Sequence, residues 1–297
     1  MPTWFWLVTL FVVGATIGSF LNVCIYRIPV GKSLIWPPSH CGNCFTPVGF
    51  DNIPIIGFLL VGGHCRHCGV RLSLQYPLVE LLSAVMAPLG YWVWVVQRHE
   101  PLPLAGIYVA LVLTLVVVTF IDLRWRIIPD RISYGLMITG PLLSLVYPRL
   151  MATGLNDFAG ASKLRGLGPT LEWLSRHPHP GALVASLLGL AAAGVFILVI
   201  RTLGTMVFGK EAMGLGDAKL LAGICGLLGY KVIPLIFLLA VFIGAVVGVT
   251  VFLRTRRRDI PFGPYLAAGA VTVMFFGNPI WKWYFGLMHL TGGEILS

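Results

Sequence analysis

The chemistry available to this chain lies in a few polar side chains set among apolar ones. Only 11 of its 297 residues are acidic. Two of them, Asp122 and Asp217, stand at the ends of apolar runs: Asp122 closes LTLVVVTFID, and Asp217 lies in AMGLGDAKLLAG, where a glycine-rich turn opens the next run. A charged Asp inside a membrane helix costs ~2.5–3.5 kcal/mol on insertion scales, which makes each a functional candidate. The two are distant in sequence but could meet in one helical bundle. Neighbouring carboxylates share a proton. The ionised partner can then activate a water while the protonated one polarises a carbonyl, which is the chemistry of an aspartic peptidase. Gly214 and Gly216 would allow an open turn before Asp217 and close approach of a substrate backbone. The positive end of the following helix would favour the Asp217 carboxylate.

Structural roles fit the same positions equally well. Asp122 could pair with Arg124 or Arg126, and Asp217 could cap a helix beside Lys219. Asp130, after Pro129, suits an N-cap. Glu80, in YPLVELL, could contact substrate or Arg27, or simply snorkel toward water.

A second constellation is made of cysteines. Cys41-x-x-Cys44 and Cys65-x-x-Cys68 are separated by 20 residues. Two such knuckles at that distance have the spacing of a tetrahedral zinc site, and four thiolates leave no open coordination position, so the metal is expected to be structural. Gly42 and Gly69 suit the tight turns. Residues 27–76 show little apolar periodicity, so zinc would supply their folding energy. His40, His64 and His67 adjoin the cysteines and are expected beside the ligand set or in solvent rather than on the metal. Cys24 and Cys225 sit alone in apolar stretches and read as core thiols.

These groups need elements to hold them. The chain is 57% hydrophobic and 11% charged, with a mean hydropathy of +0.88, whereas a soluble domain is ~25% charged. That excludes disorder and an ordinary soluble enzyme. The formal net charge is +10, but the basic residues form no single patch, so nucleic acid is not the partner they imply. A bilayer is. Apolar runs near 4–25, 78–97, 104–121, 132–148, 181–200, 217–229, 232–253 and 263–288 predict about eight spans, the fourth and sixth being short. The expected fold is an all-α polytopic membrane protein with a small zinc-binding insert. Its divisions are a first transmembrane helix (1–26), the tetracysteine module (27–76) and a helical bundle (77–297).

No Lys or Arg precedes the first run, so it does not read as a cleavable signal peptide. Its first basic neighbour is Arg27, which puts the N-terminus outside and the cysteine module in the cytoplasm. Alternating from there leaves 14 basic residues inside and 7 outside, in keeping with the positive-inside rule. RTRRR (254–258) is a cytoplasmic anchor in this scheme. A reducing compartment argues against disulfides in the module. Residues 149–180 form a polar outside loop with a short helix expected at 169–176. No repeat or low-complexity tract stands out.

At these residues the sequence resembles the bacterial prepilin peptidase family, membrane aspartic endopeptidases that also methylate the new N-terminus. The likeness runs through GSFLNVCIYRIP (18–29), both knuckles, DNIP (51–54), YPLVELL (76–82), IDLRWRIIPD (121–130), GLGDAKLLAG (214–223) and PFGPYLAAG (261–269). It implies catalytic roles for Asp122 and Asp217, zinc on the four cysteines, and a place in the bacterial inner membrane with a periplasmic N-terminus. It also implies cleavage of type IV prepilins or type II secretion pseudopilins after the Gly that ends a short basic leader, and S-adenosylmethionine as methyl donor. No GxGxxG follows a strand, so the residues themselves point to no donor site. Retention of the cysteine module favours the bifunctional form. KSLIWPPSHC (32–41) departs from the family by placing His40, not an Arg, before the first Cys. Two other classes remain in play at this point. In a transporter, Asp122, Asp217 and Glu80 would relay protons or cations, although no inverted repeat is visible. In a non-catalytic assembly factor, the zinc module would recruit partners.

Overall fold

Inside a bilayer every backbone polar group must be satisfied by the chain itself, which leaves helices as the available form for such apolar runs. A computed structural model of the protein describes residues 2–49, 53–152, 177–209, 213–255 and 261–291. Among these residues the chain is helical, with only two isolated β-bridges. It forms two compact units, Met1–Pro129 and Asp130–Ser297. The helix expected at 169–176 lies outside the described residues.

The first unit holds α1 (Thr3–Arg27), the short α2 (Ile56–Leu60), α3 (Gln75–Gly90) and α4 (Leu102–Trp125). Pro88 lies inside α3, which continues through Tyr91–Gln97 as a π-helix; proline has no N–H for the regular ladder. α1 packs on α3 at glycines. A Cβ on Gly18 would sit 2.7 Å from the Cα of Glu80, and one on Gly14 would sit 3.0 Å from the Cα of Ala84. Small residues of this kind let membrane helices approach closely enough to gain dispersion contact, since lipid provides no hydrophobic drive between them.

The second unit holds α5 (Asp130–Val146), α6 (Arg149–Ala152), α7 (Pro178–Phe208), α8 (Leu215–Leu228), α9 (Ile233–Thr255) and α10 (Gly263–Thr291). Every residue of α8 from Leu220 to Leu228 is buried. It is the unit's central rod, packed between α5 and α7. Gly223 lies under Leu136 of α5, Gly140 of α5 meets the backbone at Gly226, and Gly189 of α7 meets the carbonyl of Cys225. The Ser186 hydroxyl donates to the Gly226 carbonyl. α9 and α10 meet where Gly269 lies against the Ile236 carbonyl.

Among the described residues, five helices are long and apolar enough to cross a membrane: Thr3–Arg27, Gln75–Gln97, Leu102–Trp125, Pro178–Val207 and Tyr230–Arg254. The other three expected spans are helical but differ in kind. α5 has 17 residues and α8 has 14, and the apolar stretch of α10 is Gly263–Gly277. α8 is buried within its unit and need not match the bilayer thickness, and α5 and the apolar stretch of α10 are shorter than a full span, so a count of eight full crossings does not follow from eight apolar runs. Hydroxyls in the spans cost little because they bond their own helix, as Thr16 does to the Val12 carbonyl at 2.9 Å and Thr114 to the Ala110 carbonyl at 2.8 Å.

Candidate active site and metal centre

Asp122 lies in the last turn of α4 and is buried there, in the first unit. Its carbonyl receives the N–H of Arg126 at 2.9 Å, and Arg126 ends the helix in the left-handed region at φ 55°. Arg124 packs its guanidinium over the rings of Tyr26 (5.5 Å) and Trp125 (5.7 Å).

Asp217 is the third residue of α8 and is also buried, in the second unit. Gly214 is the N-cap, in extended conformation, and a Cβ there would come 3.3 Å from Oδ2 of Asp217. The carboxylate therefore folds back over the N-cap, where a Cβ would crowd it by a few tenths of an ångström. The two acids sit at opposite ends of their helices, Asp122 at the negative pole and Asp217 at the positive one. Burial of a carboxylate that could instead reach water is the property that marks both as functional candidates.

Lys219 pairs with Asp130. Its Nζ reaches Oδ1 of Asp130 at 2.7 Å and lies 4.9 Å over the ring of Tyr134. It thus ties the start of α8 to the start of α5, and Asp130, the first residue of α5, serves as its anion.

Glu80 is buried on α3, facing α1. Its Oε2 accepts the backbone N–H of Ile55 at 2.7 Å, and the Ser19 hydroxyl bonds it from α1. Ile55 holds φ 63°, costly for a β-branched residue, so the carboxylate fastens a strained turn just ahead of α2. Arg27 does not meet Glu80. Buried at the end of α1, its guanidinium donates to the carbonyls of Ser33 (2.9 Å) and Pro37 (2.6 Å). Sequence reasoning read Arg27 as a topology marker and a possible partner of Glu80, and missed this role. Asn22, also unnoticed in the sequence, donates from Nδ2 to the Tyr76 carbonyl at 3.0 Å, joining α1 to the start of α3.

The four cysteines come together, with their sulfurs all within 4.8 Å of one another. Across the knuckles, Cys41 and Cys68 stand 3.8 Å apart and Cys44 and Cys65 3.9 Å. Thiolates ~2.3 Å from a tetrahedral zinc are about 3.8 Å apart, whereas a disulfide is ~2.05 Å. The donor set and its spacing fit a zinc ion, and the thiols are unpaired.

The knuckles are structural copies. Cys41 N–H bonds the Thr46 carbonyl at 2.9 Å, and Cys65 N–H bonds the Val70 carbonyl at 2.9 Å. Bridges pair His40 with Pro47 and His64 with Arg71. Nδ1 of His40 bonds the Pro38 carbonyl (2.9 Å) and Nδ1 of His64 the Gly62 carbonyl (2.8 Å). Each partner in one knuckle lies 24 positions from its counterpart in the other. This is a repeat too short and too degenerate to stand out in the sequence. The copies correct one sequence inference. The left-handed position is filled by Gly69 (φ 69°) in the second knuckle but by Phe45 (φ 56°), not Gly42, in the first. Thr46 tunes the first knuckle electrostatically. Hydrogen bonds from its hydroxyl, then its backbone, bring the Cys44 thiol down to about 6.

Fold and site together define an integral membrane protein with a four-thiol module, of a geometry that could hold a metal ion, inserted between its first two long helices. The Bacterial Peptidase A24 N-terminal domain matches residues 12–94, and the Type IV leader peptidase family matches residues 171–249. The first range contains the four cysteines and Glu80, and the second contains Asp217; Asp122 lies between them. A prepilin leader peptidase/N-methyltransferase of Aeromonas salmonicida is 30% identical over 95% of this chain and 94% of its own length. The protein of that name from Stutzerimonas stutzeri is 32% identical over 94% of this chain and 93% of its own, and one from Burkholderia pseudomallei is 27% identical over 95% and 89%. No solved structure matches. The chain belongs to the prepilin leader peptidase/N-methyltransferase family.

Proposed function

We propose that this protein is a membrane aspartic endopeptidase that removes the basic leader of type IV prepilins or type II secretion pseudopilins after Gly and then N-methylates the exposed residue. Family membership over nearly the whole chain supports the two activities. The observation that carries the chemistry is the burial of Asp122 and Asp217 at the ends of otherwise apolar helices. One carboxylate, ionised, takes a proton from water as the oxygen attacks the scissile carbonyl. The other, protonated, donates to the developing oxyanion, and the proton then passes to the leaving amine. Gly214 and Gly216 leave room for the substrate backbone beside Asp217.

Cys41, Cys44, Cys65 and Cys68 hold a zinc ion whose four thiolates close its coordination, so the metal shapes the module and takes no part in hydrolysis. Glu80 and Lys219 are supports. Glu80 fastens the module to α3, and Lys219 fastens α8 to α5. The methyl donor is S-adenosylmethionine. The distribution of basic residues supports a cytoplasmic module and a periplasmic N-terminus in the bacterial inner membrane.

The test is cleavage of a purified prepilin by Asp122→Asn and Asp217→Asn proteins in lipid, with product masses read with and without methyl donor. General acid–base groups contribute roughly 10²–10⁴-fold, so each variant should lose at least that factor in turnover while remaining folded. Full cleavage by either variant removes the mechanism. Ion flux into vesicles that depended on both acids would replace it with transport.

A further inference from the structure

The insert exposes more apolar surface than a water-facing module should. Ile35 and Trp36 are 89% and 74% exposed, and on α2 Leu59 and Leu60 are 70% and 67% exposed, with Ile56 on the same side. α2 is one-sided. Gly57 is buried and Phe58 covers Gly63, while Ile56, Leu59 and Leu60 point away from the module.

Two clasps fix the height of these side chains. Arg27, the last residue of α1, holds the carbonyls of both Ser33 and Pro37. Ile35 and Trp36 are therefore the tip of a short loop folded back onto the membrane end of α1. Glu80 holds the Ile55 N–H, immediately before α2. Glu80 is five residues into the Gln75–Gln97 span, roughly 7 Å along its axis. Helical side chains lean toward the N-terminus, which here is the insert's side, so Ile55 meets the carboxylate near the level of the span's first turn. The apolar face of α2 thus begins where the lipid boundary must lie. It is continuous in the chain with exposed apolar residues of the spans, from Tyr26 and Val30 on one side to Leu74 and Leu78 on the other.

We infer that the metal module is seated in the lipid surface, with Ile35–Trp36 and Ile56/Leu59/Leu60 inserted at the headgroup–acyl boundary of the leaflet at the C-terminal end of α1. An aromatic residue beside aliphatic ones is the usual composition at that depth. Insertion rests on the apolar tips and not on charge. By sequence this stretch carries Lys32, Arg66 and Arg71 against one acid, Asp51, and four thiolates on a divalent ion would bring two negative charges of their own. The seat fixes the module's tilt relative to the bilayer, which a flexible cytoplasmic domain would not need. This inference stands apart from the peptidase reading and can fail without it.

The test uses the full-length, zinc-loaded protein in phosphatidylethanolamine–phosphatidylglycerol vesicles containing a phosphatidylcholine with a diazirine on its acyl chain. After irradiation, adducts are mapped by mass spectrometry and zinc per chain is measured on the same sample. Adducts on 35–36 and 56–60 are expected alongside those on α1 and α4, and they should persist in high salt. Leu59→Ser with Leu60→Ser should lose the 56–60 adducts while keeping the zinc. Labelling confined to the spans overturns the inference, as does loss of the module's adducts in high salt. Protection of the same residues by a second copy of the chain or by a prepilin peptide, in place of lipid adducts, also overturns it.

Discussion

Replacing Glu80 by Ala should detach α2 from α3 without dismantling the metal centre. The side chain contributes one hydrogen bond from an anionic acceptor, 2.7 Å from the Ile55 N–H, and a second to Ser19. A hydrogen bond to a charged group contributes about 1.5–3 kcal/mol. Since ~1.4 kcal/mol is tenfold in an equilibrium constant, local opening of 53–61 should become roughly 10- to 150-fold more frequent. Ile55 strengthens the expectation, because at φ 63° it relaxes once released. Glu80→Gln keeps an acceptor of the same shape and loses the charge, so it should forfeit about half that free energy and open the segment roughly 3- to 12-fold more often. The assay is amide hydrogen exchange in lipid nanodiscs, resolved to the peptides spanning 53–61, with zinc measured on the same protein. The knuckles are closed by their own backbone hydrogen bonds, such as Cys65 N–H to the Val70 carbonyl, so zinc should stay near one per chain. Exchange in Glu80→Ala within twofold of the parent, with zinc retained, would refute the clasp.

Cys41→Ser with Cys44→Ser should abolish zinc binding, read by elemental mass spectrometry; a metal-free protein with unchanged exchange in 40–71 would contradict the assignment. The Cys44 thiol, brought down to about 6 from an ordinary ~8.5, should make the module acid-sensitive. Its stabilising contribution to the metal-free module is complete above the unfolded value and is lost as pH falls through about 6, so zinc uptake by the metal-free protein should weaken as pH falls through that value, and Thr46→Val should move the midpoint upward. Gly18→Leu places a side chain where even a Cβ would be 2.7 Å from the Glu80 Cα. It should lower stability by at least ~1–3 kcal/mol, measured by denaturant titration in detergent. Lys219→Met removes an ion pair whose side chains are 30% and 59% exposed. It should change stability little, because solvent screens an exposed pair, and leave prepilin cleavage near the parental rate; collapse of cleavage with stability retained would give Lys219 a part in the chemistry.

Sequence reading located the apolar runs because the bilayer imposes a local rule: about 20 apolar residues, closed on themselves by backbone hydrogen bonds. The eight runs are all helical for that reason. It also located the four thiols, since each CxxC turn brings two sulfurs together within a few residues. It could not tell α8 from a lipid-facing span. Both are apolar all round, and only the packing of α5 and α7 against Gly223, Gly226 and Cys225 shows α8 to be a core rod. Nor could it pick Phe45 over Gly42 for the left-handed position, which the folded backbone alone decides.

The partners of the buried charges were decided by tertiary structure alone. Sequence fixed that Glu80, Arg27 and Lys219 would lie near span ends, because hydropathy is a sum over neighbours in the chain. Their contacts with Ile55, with the Ser33 and Pro37 carbonyls, and with Asp130 depend on where the chain returns after a loop. A charge in a low-dielectric setting takes whatever dipole or counter-charge the fold brings within ~3 Å, and no periodicity in the sequence encodes that return.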